Sequence, residues 1–215
     1  MLENKQEISK MKEPQMNKLI PKVGALIVTL TVFLFALFII VDFSFGSYFV
    51  CIFLSIGYII MVSGFQYESN EEQKVSANLG MIFSSIYAVL INLVYYAQIT
   101  TVRLEKLNEQ AVRVLDYRKG GLFFNYDLLG YGMMALSTFF VSLSIKVENK
   151  SDKWLKYLMM LHGIFFISCF IMPMLGIFTN MSDGSGSKGG AIALLIWCIY
   201  FFPIGILAFK HFNKK

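Results

Sequence analysis

Asp127 stands inside an apolar run, and the residues four, seven, eleven and fifteen positions beyond it are Tyr131, Met134, Thr138 and Ser142. At about 100° per residue these offsets put a carboxyl, a phenol and two hydroxyls on one stripe of a helix. Upstream, Ser85, Asn92, Tyr95 and Tyr96 share a helical face to within about 60°. Facing stripes of this kind predict a small polar cavity lined by Asn92, Tyr95, Tyr96, Gln98, Tyr131 and Thr138, with Asp127 and Arg103 as its charged pair. The chemistry is recognition of a small polar or charged ligand. A carboxylate among apolar residues costs on the order of 2.5–3.5 kcal/mol, so it needs a partner or water. Two alternatives stay open. Asp127 can instead be an N-terminal helix charge at the level of lipid headgroups, and the hydroxyls and amides can simply bond between helices or to their own backbone.

His162 is isolated in its apolar run, with Met159, Met160, Met172 and Met174 nearby but not on its face. A packed or inter-helix hydrogen-bonded imidazole therefore outweighs a metal ligand or proton relay. Cys51, Cys169 and Cys198 lie in apolar runs with no CxxC pair, as small packing residues do. The stretch 180–190 is rich in Gly and Ser and should be mobile, but Lys188 is followed by Gly189, which fails the phosphate-loop pattern. Asn180-Met-Ser and Asn149-Lys-Ser both match the glycosylation pattern. There is no HExxH, no paired carboxylates within a run, no nucleophile with a base and no dinucleotide fingerprint. No catalytic residue, cofactor or metal is assigned, and an enzyme is not expected.

The elements that must position these residues follow from composition. Hydrophobic residues make up 56% of the 215, only 15% are charged, and the charges gather between apolar runs. Soluble domains carry about 45–50% apolar residues, so a bilayer is the expected environment. Six runs approach the roughly 20 residues needed to cross it, at 19–41, 48–65, 77–100, 122–145, 154–178 and 191–209. The fold class expected is all-α, a polytopic membrane helix bundle of six transmembrane helices, since open sheets leave backbone groups unpaired in lipid. The domain organisation is an N-terminal tail over 1–18, a six-span domain over 19–209 and a C-terminal tail over 210–215. Pro14 and Pro21 precede or enter the first run, and Pro173 and Pro203 should kink the fifth and sixth spans.

Lys and Arg number thirteen on the side of the termini and six on the other. That bias predicts a cell-membrane protein with both termini cytoplasmic. The net charge of +5 follows from this loop distribution, and no nucleic-acid partner is expected. The long connection between spans three and four is the exception, with Arg103, Lys106, Arg113, Arg118 and Lys119 on the outer side. Within it, Leu104, Leu107, Ala111, Val114 and Leu115 recur at helical spacing, predicting an amphipathic surface helix of about three turns over 104–115.

The strings Tyr95-Tyr-Ala-Gln-Ile-Thr-Thr-Val-Arg103 and Leu129-Gly-Tyr-Gly-Met-Met-Ala-Leu-Ser-Thr138 resemble a pair found in an uncharacterised family of prokaryotic six-span integral membrane proteins. The resemblance covers about the middle third of the chain and implies topology only, because that family has no assigned activity. The residues thus define two functional expectations. One is binding or transport of a small solute, ion or lipid through the cavity between spans three and four. The other is a membrane-embedded interaction or regulatory protein that docks a membrane-protein partner through 104–115.

Overall fold

The computed structural model describes residues 2–178 and 185–214, with side chains from Met16 to Phe178 and from Gly190 to Lys214. The Asn180 pattern lies outside the described residues, whereas 185–190 of the Gly/Ser stretch, Lys188 included, begin the last helix instead of forming a mobile loop. The all-helical expectation holds. In chain order the helices are α1 (Leu2–Ile40), α2 (Ser44–Glu68), α3 (Lys74–Ala97), α4 (Glu109–Leu115), α5 (Leu122–Ser144), α6 (Lys150–His162), α7 (Phe165–Met174) and α8 (Ser185–Lys214). Six stretches are long and apolar enough to cross a membrane: Met16–Ile40, Ser44–Glu68, Lys74–Val102, Leu122–Ser144, Lys150–Met174 and Gly190–Lys214. Each coincides with an expected run, and most extend a few residues further because polar flanks continue the helix.

The helices close into a ring. α1 packs on α2, α2 on α3, α3 on α5, α5 on both α6 and α7, α6 on α8, and α8 back on α1. Because the number of spans is even, both chain ends reach one face, where Lys22 of α1 donates to Asn213 of α8. The middle of the ring is filled by aromatics. Tyr58 meets Tyr87 edge to face with centroids 5.4 Å apart, Tyr131 meets Trp197 at 5.2 Å, and Trp197 stacks on Phe201 at 4.9 Å. Such pairs add about 0.5–1.5 kcal/mol each beyond the area they bury.

α3 and α5, which carry most of the expected site residues, approach closely. A Cβ on Gly80 would lie 2.6 Å from Val141 Cγ2, and Ser137 donates its hydroxyl to the Gly80 carbonyl at 2.7 Å. Small residues allow this approach, as in other apolar helix pairs. At the level of Gly80, Ser137 and Val141 the two helices are therefore in direct contact.

α1 runs through Pro14 and Pro21 without interruption from Leu2. Two local expectations are corrected. The fifth span is broken at Gly163 and Ile164, between α6 and α7, instead of being one helix kinked at Pro173. Pro173 sits one residue before the end of α7, so almost no helix follows it to be kinked. The surface helix is shorter than 104–115, because the Asn108 side chain accepts from Ala111 N at 2.8 Å and caps the helix there. Leu104 and Leu107 fall outside it, and none of the α4 residues is buried.

Candidate functional site

At the face opposite the termini, α3 does not stop at Ala97 but widens into a π-helical turn, Gln98–Val102. π-turns often sit at functional positions because they re-aim side chains. Here the turn directs Gln98 inward, where it is 3% exposed. Its Nε2 donates to the Leu115 carbonyl at 2.8 Å and its Oε1 accepts from Tyr117 N at 3.0 Å. The long connection is thereby held to the end of α3, and the amide expected to bind ligand is taken up by backbone.

That docking places a short 3-10 turn, Tyr117–Lys119, above the start of α5. Asp116 initiates it, accepting from Arg118 N at 3.0 Å and pairing with the Arg118 guanidinium at 3.1 Å. The hydrogen bond from Arg118 to Asp116, then their charge attraction, hold the Arg118 guanidinium above its ordinary pKa. Gly120 follows with φ of 65°, a left-handed residue that lets the chain turn down into α5.

Asp127 lies in the second turn of α5 and is 1% exposed. Its carboxyl group is thus enclosed by protein instead of lying on the helix surface. Tyr95 and Tyr117 are its polar neighbours, and Oδ1 has no hydrogen-bond partner among the described residues. Both tyrosines pack against Tyr48 of α2. Tyr48 and Tyr95 stack with centroids 5.6 Å apart, and Tyr117 meets Tyr48 at 6.0 Å and Phe124 at 5.1 Å. Burial pushes the Tyr117 phenol well above its ordinary pKa, and the Asp127 charge adds to the shift. A neutral phenol is the form that donates to a carboxylate.

Above this aromatic group a cleft of about 140 Å³ opens at the face, lined among others by Ser44, Tyr48, Gln98, Arg103, Asp116 and Arg118. Tyr48 lines it, and Asp127 is not among its lining residues. The expected Arg103–Asp127 pair does not form. The Arg103 guanidinium lies over the Phe45 ring at 4.9 Å, and its Nε donates to Ile99 O at 3.1 Å. Arg103 follows the π-turn to the rim, so its side chain projects along the surface, away from the core.

The remaining expected residues divide. Tyr131 is buried next to the group, its hydroxyl 3.9 Å from Cys51 Sγ. Asn92 turns to α2 and donates to Ser55 Oγ at 2.8 Å and to Ala88 O at 2.7 Å. Tyr96 is 63% exposed on the outside of the ring. Thr138 is deep in the core, 2.8 Å from His162 Nδ1. Ser142 and Ser85 bond to the carbonyls of Phe139 and Met81 on their own helices. Only Asp127, Tyr95 and Tyr131 of the two stripes come together around one point, because α3 and α5 are in contact and their polar stripes turn to different neighbours.

Sequence reasoning missed Tyr48 and Tyr117. Neither lies on the two spans compared, and their only local signal is aromatic character beside a charge-rich connection. Among the described residues, no group of three or more His, Cys, Asp or Glu is placed to hold a metal ion. Comparison of the chain with protein-family models, with curated proteins and with solved structures gives no match.

Proposed function

We propose that this chain is an integral membrane protein of the cell membrane, with both termini cytoplasmic, that binds a small solute or ion at the outer end of the bundle and passes it inward. The observation that carries this reading is the unpartnered Oδ1 of a carboxyl group that is 1% exposed. Buried carboxyl oxygens are nearly always satisfied, so this one is suited to a ligand that brings a positive charge or a hydrogen-bond donor. Asp127 is the acceptor, Tyr95 and Tyr117 orient it, and Tyr48 closes the path from the cleft. Admission of a ligand then requires Tyr48 to swing off the Tyr95 ring. Arg103 at the rim supplies a positive charge for any anionic part of the solute.

The test is thermal unfolding of the detergent-solubilised protein with sodium, potassium and small primary-ammonium compounds as probes. A ligand that binds only the folded state raises its stability. Stabilisation in the parent that disappears in Asp127→Asn supports the reading. Equal stabilisation in both proteins, or none in either, overturns it.

A second reading is a membrane-embedded interaction protein that docks a partner through 104–115. It draws on Leu104 and Val114, which are 67% and 38% exposed on the connection. Replacing both with Asp should release a co-purifying membrane partner if this reading is correct, with ligand stabilisation unaffected.

A further inference from the structure

At the face that carries the termini, His211 of α8 lies between two carboxylates from helices distant in sequence. Its Nδ1 is 2.9 Å from Asp152 Oδ1 of α6, and its Nε2 is 2.9 Å from Glu68 Oε2 at the end of α2. His211 is 3% exposed and Asp152 2%. The other Asp152 oxygen is already held by Asn149 Nδ2 at 2.6 Å and Glu148 N at 3.3 Å. The rings of Phe65 and Phe212 close over the imidazole, with centroids 5.4 Å from it.

Hydrogen counting decides what this arrangement holds. A bare ring nitrogen and a carboxylate oxygen both present lone pairs, so each contact at 2.9 Å needs one hydrogen. A neutral imidazole supplies one. The second is either the other ring proton or a carboxyl proton, and in both cases the trio carries two hydrogens and a net single negative charge. Loss of one proton leaves a lone pair facing a lone pair and a second negative charge in a buried site, which drives the partners apart. Charged groups on the surrounding helix ends include Lys18 and Lys22 on α1, Glu148 before α6 and Lys156 on it, and Lys210 and Lys214 on α8; Lys22 reaches Asn213 and lies over Phe209. Both carboxylates contact His211 directly.

We propose that Glu68, His211 and Asp152 form a proton-binding site, separate from Asp127, whose proton clamps the ends of α2, α6 and α8 together. The inference does not depend on the Asp127 reading. Uptake of the proton closes this end of the bundle, and its release frees α8 and α6 to part. The clamp thus makes this face of the protein sensitive to the proton concentration on its own side of the membrane.

The full chain labelled with [15N]histidine in lipid nanodiscs tests the proton count. His162, which accepts from Trp197 at one nitrogen, supplies a one-proton reference signal. Two hydrogens bridging His211 at neutral pH, one of them lost on alkalinisation, are expected. A single hydrogen at neutral pH overturns the site. Spin labels at the exposed positions of Lys153 and Lys210, with the native cysteines replaced, then read the separation of α6 and α8. The distance should lengthen as the proton leaves. In Glu68→Gln the amide can donate to Nε2 and the extra negative charge is absent, so the short distance should persist at alkaline pH. A parent distance that ignores pH, or a Glu68→Gln distance that follows the parent, overturns the clamp. If that variant does not fold, the parent's distance and ring-nitrogen signals decide alone.

Discussion

The indole N–H of Trp197 lies 3.1 Å from His162 Nε2. Indole only donates, so Nε2 accepts and the ring proton sits on Nδ1. Nδ1 then donates to Thr138 Oγ1 at 2.8 Å, and the Thr138 hydroxyl donates to Ala135 O at 2.9 Å. One neutral tautomer satisfies the whole chain from α8 through α6 to α5. His162, for which the sequence favours a packed or inter-helix hydrogen-bonded imidazole, is hydrogen-bonded at both ring nitrogens beside the break between α6 and α7.

His162→Phe should destabilise the protein by about 1–3 kcal/mol for each partner left unsatisfied, Trp197 and Thr138. His162→Gln, which keeps one donor and one acceptor, should be milder. Thermal unfolding in detergent ranks them, and equal losses would count against the hydrogen-bonded role.

Tyr95→Phe and Tyr117→Phe each remove one hydroxyl from the surroundings of the Asp127 carboxyl. Ligand stabilisation should weaken in each variant, and in the Asp127→Asn background the same changes should have little further effect. A double-mutant cycle on ligand-dependent melting measures that coupling. Additive effects would mean that the tyrosines act elsewhere.

Tyr117 carries a pH dependence of known sign. Its phenol pKa is raised by burial and by Asp127, so the folded protein keeps the proton at a pH where the unfolded chain has lost it. The associated stability is fully present below the ordinary tyrosine range, near pH 10, and is lost as pH rises above it. Alkaline unfolding of the parent should therefore be steeper than that of Tyr117→Phe. Identical profiles would mean that Tyr117 is exposed to solvent.

Gly80→Ala should cost about 1–3 kcal/mol, because the new methyl meets Val141 Cγ2 at 2.6 Å and also crowds Val141 N and Ser137 O. Since α5 carries Asp127, the variant should also disturb ligand stabilisation. Gly132→Ala is the control on the same bundle, with its nearest neighbours at 3.4 Å and beyond.

Gln98→Leu removes both bonds that hold the connection, to Leu115 O and from Tyr117 N. The connection should become more open to protease cleavage near Arg113 and Arg118, and the Asp127 site should lose Tyr117. Limited trypsin digestion reads this directly. Unchanged cleavage would show that the Asp116–Arg118 turn holds the segment alone.

Much of the helical framework was legible because apolar run length is a one-dimensional property. Composition alone marks six stretches, and the helices found there differ mainly at polar ends, as at Glu68 and Lys214. The start of α5 at Leu122 was legible for the same reason, with Gly120 and Gly121 just before it. The break after His162 was not, since nothing in the hydropathy of Met159 to Ile167 distinguishes it from continuous helix. It depends on Gly163 meeting Phe139 of α5, where an added Cβ would lie 2.8 Å from Phe139 Cβ.

The sequence by itself determined that the chain is helical, how many apolar helices it has, and that Asp127 is an anomaly among them. Those facts follow from residue type and spacing along one strand of text. Only the tertiary structure decided what the anomaly touches: Tyr95 and Tyr117 in place of Arg103, with Tyr48 above them. The same holds for His211, whose partners lie 59 and 143 residues away in the chain. Helical periodicity tells which residues share a face, but which helix that face meets is set by how the whole ring closes, and that closure depends on small residues and aromatic shapes from every span at once.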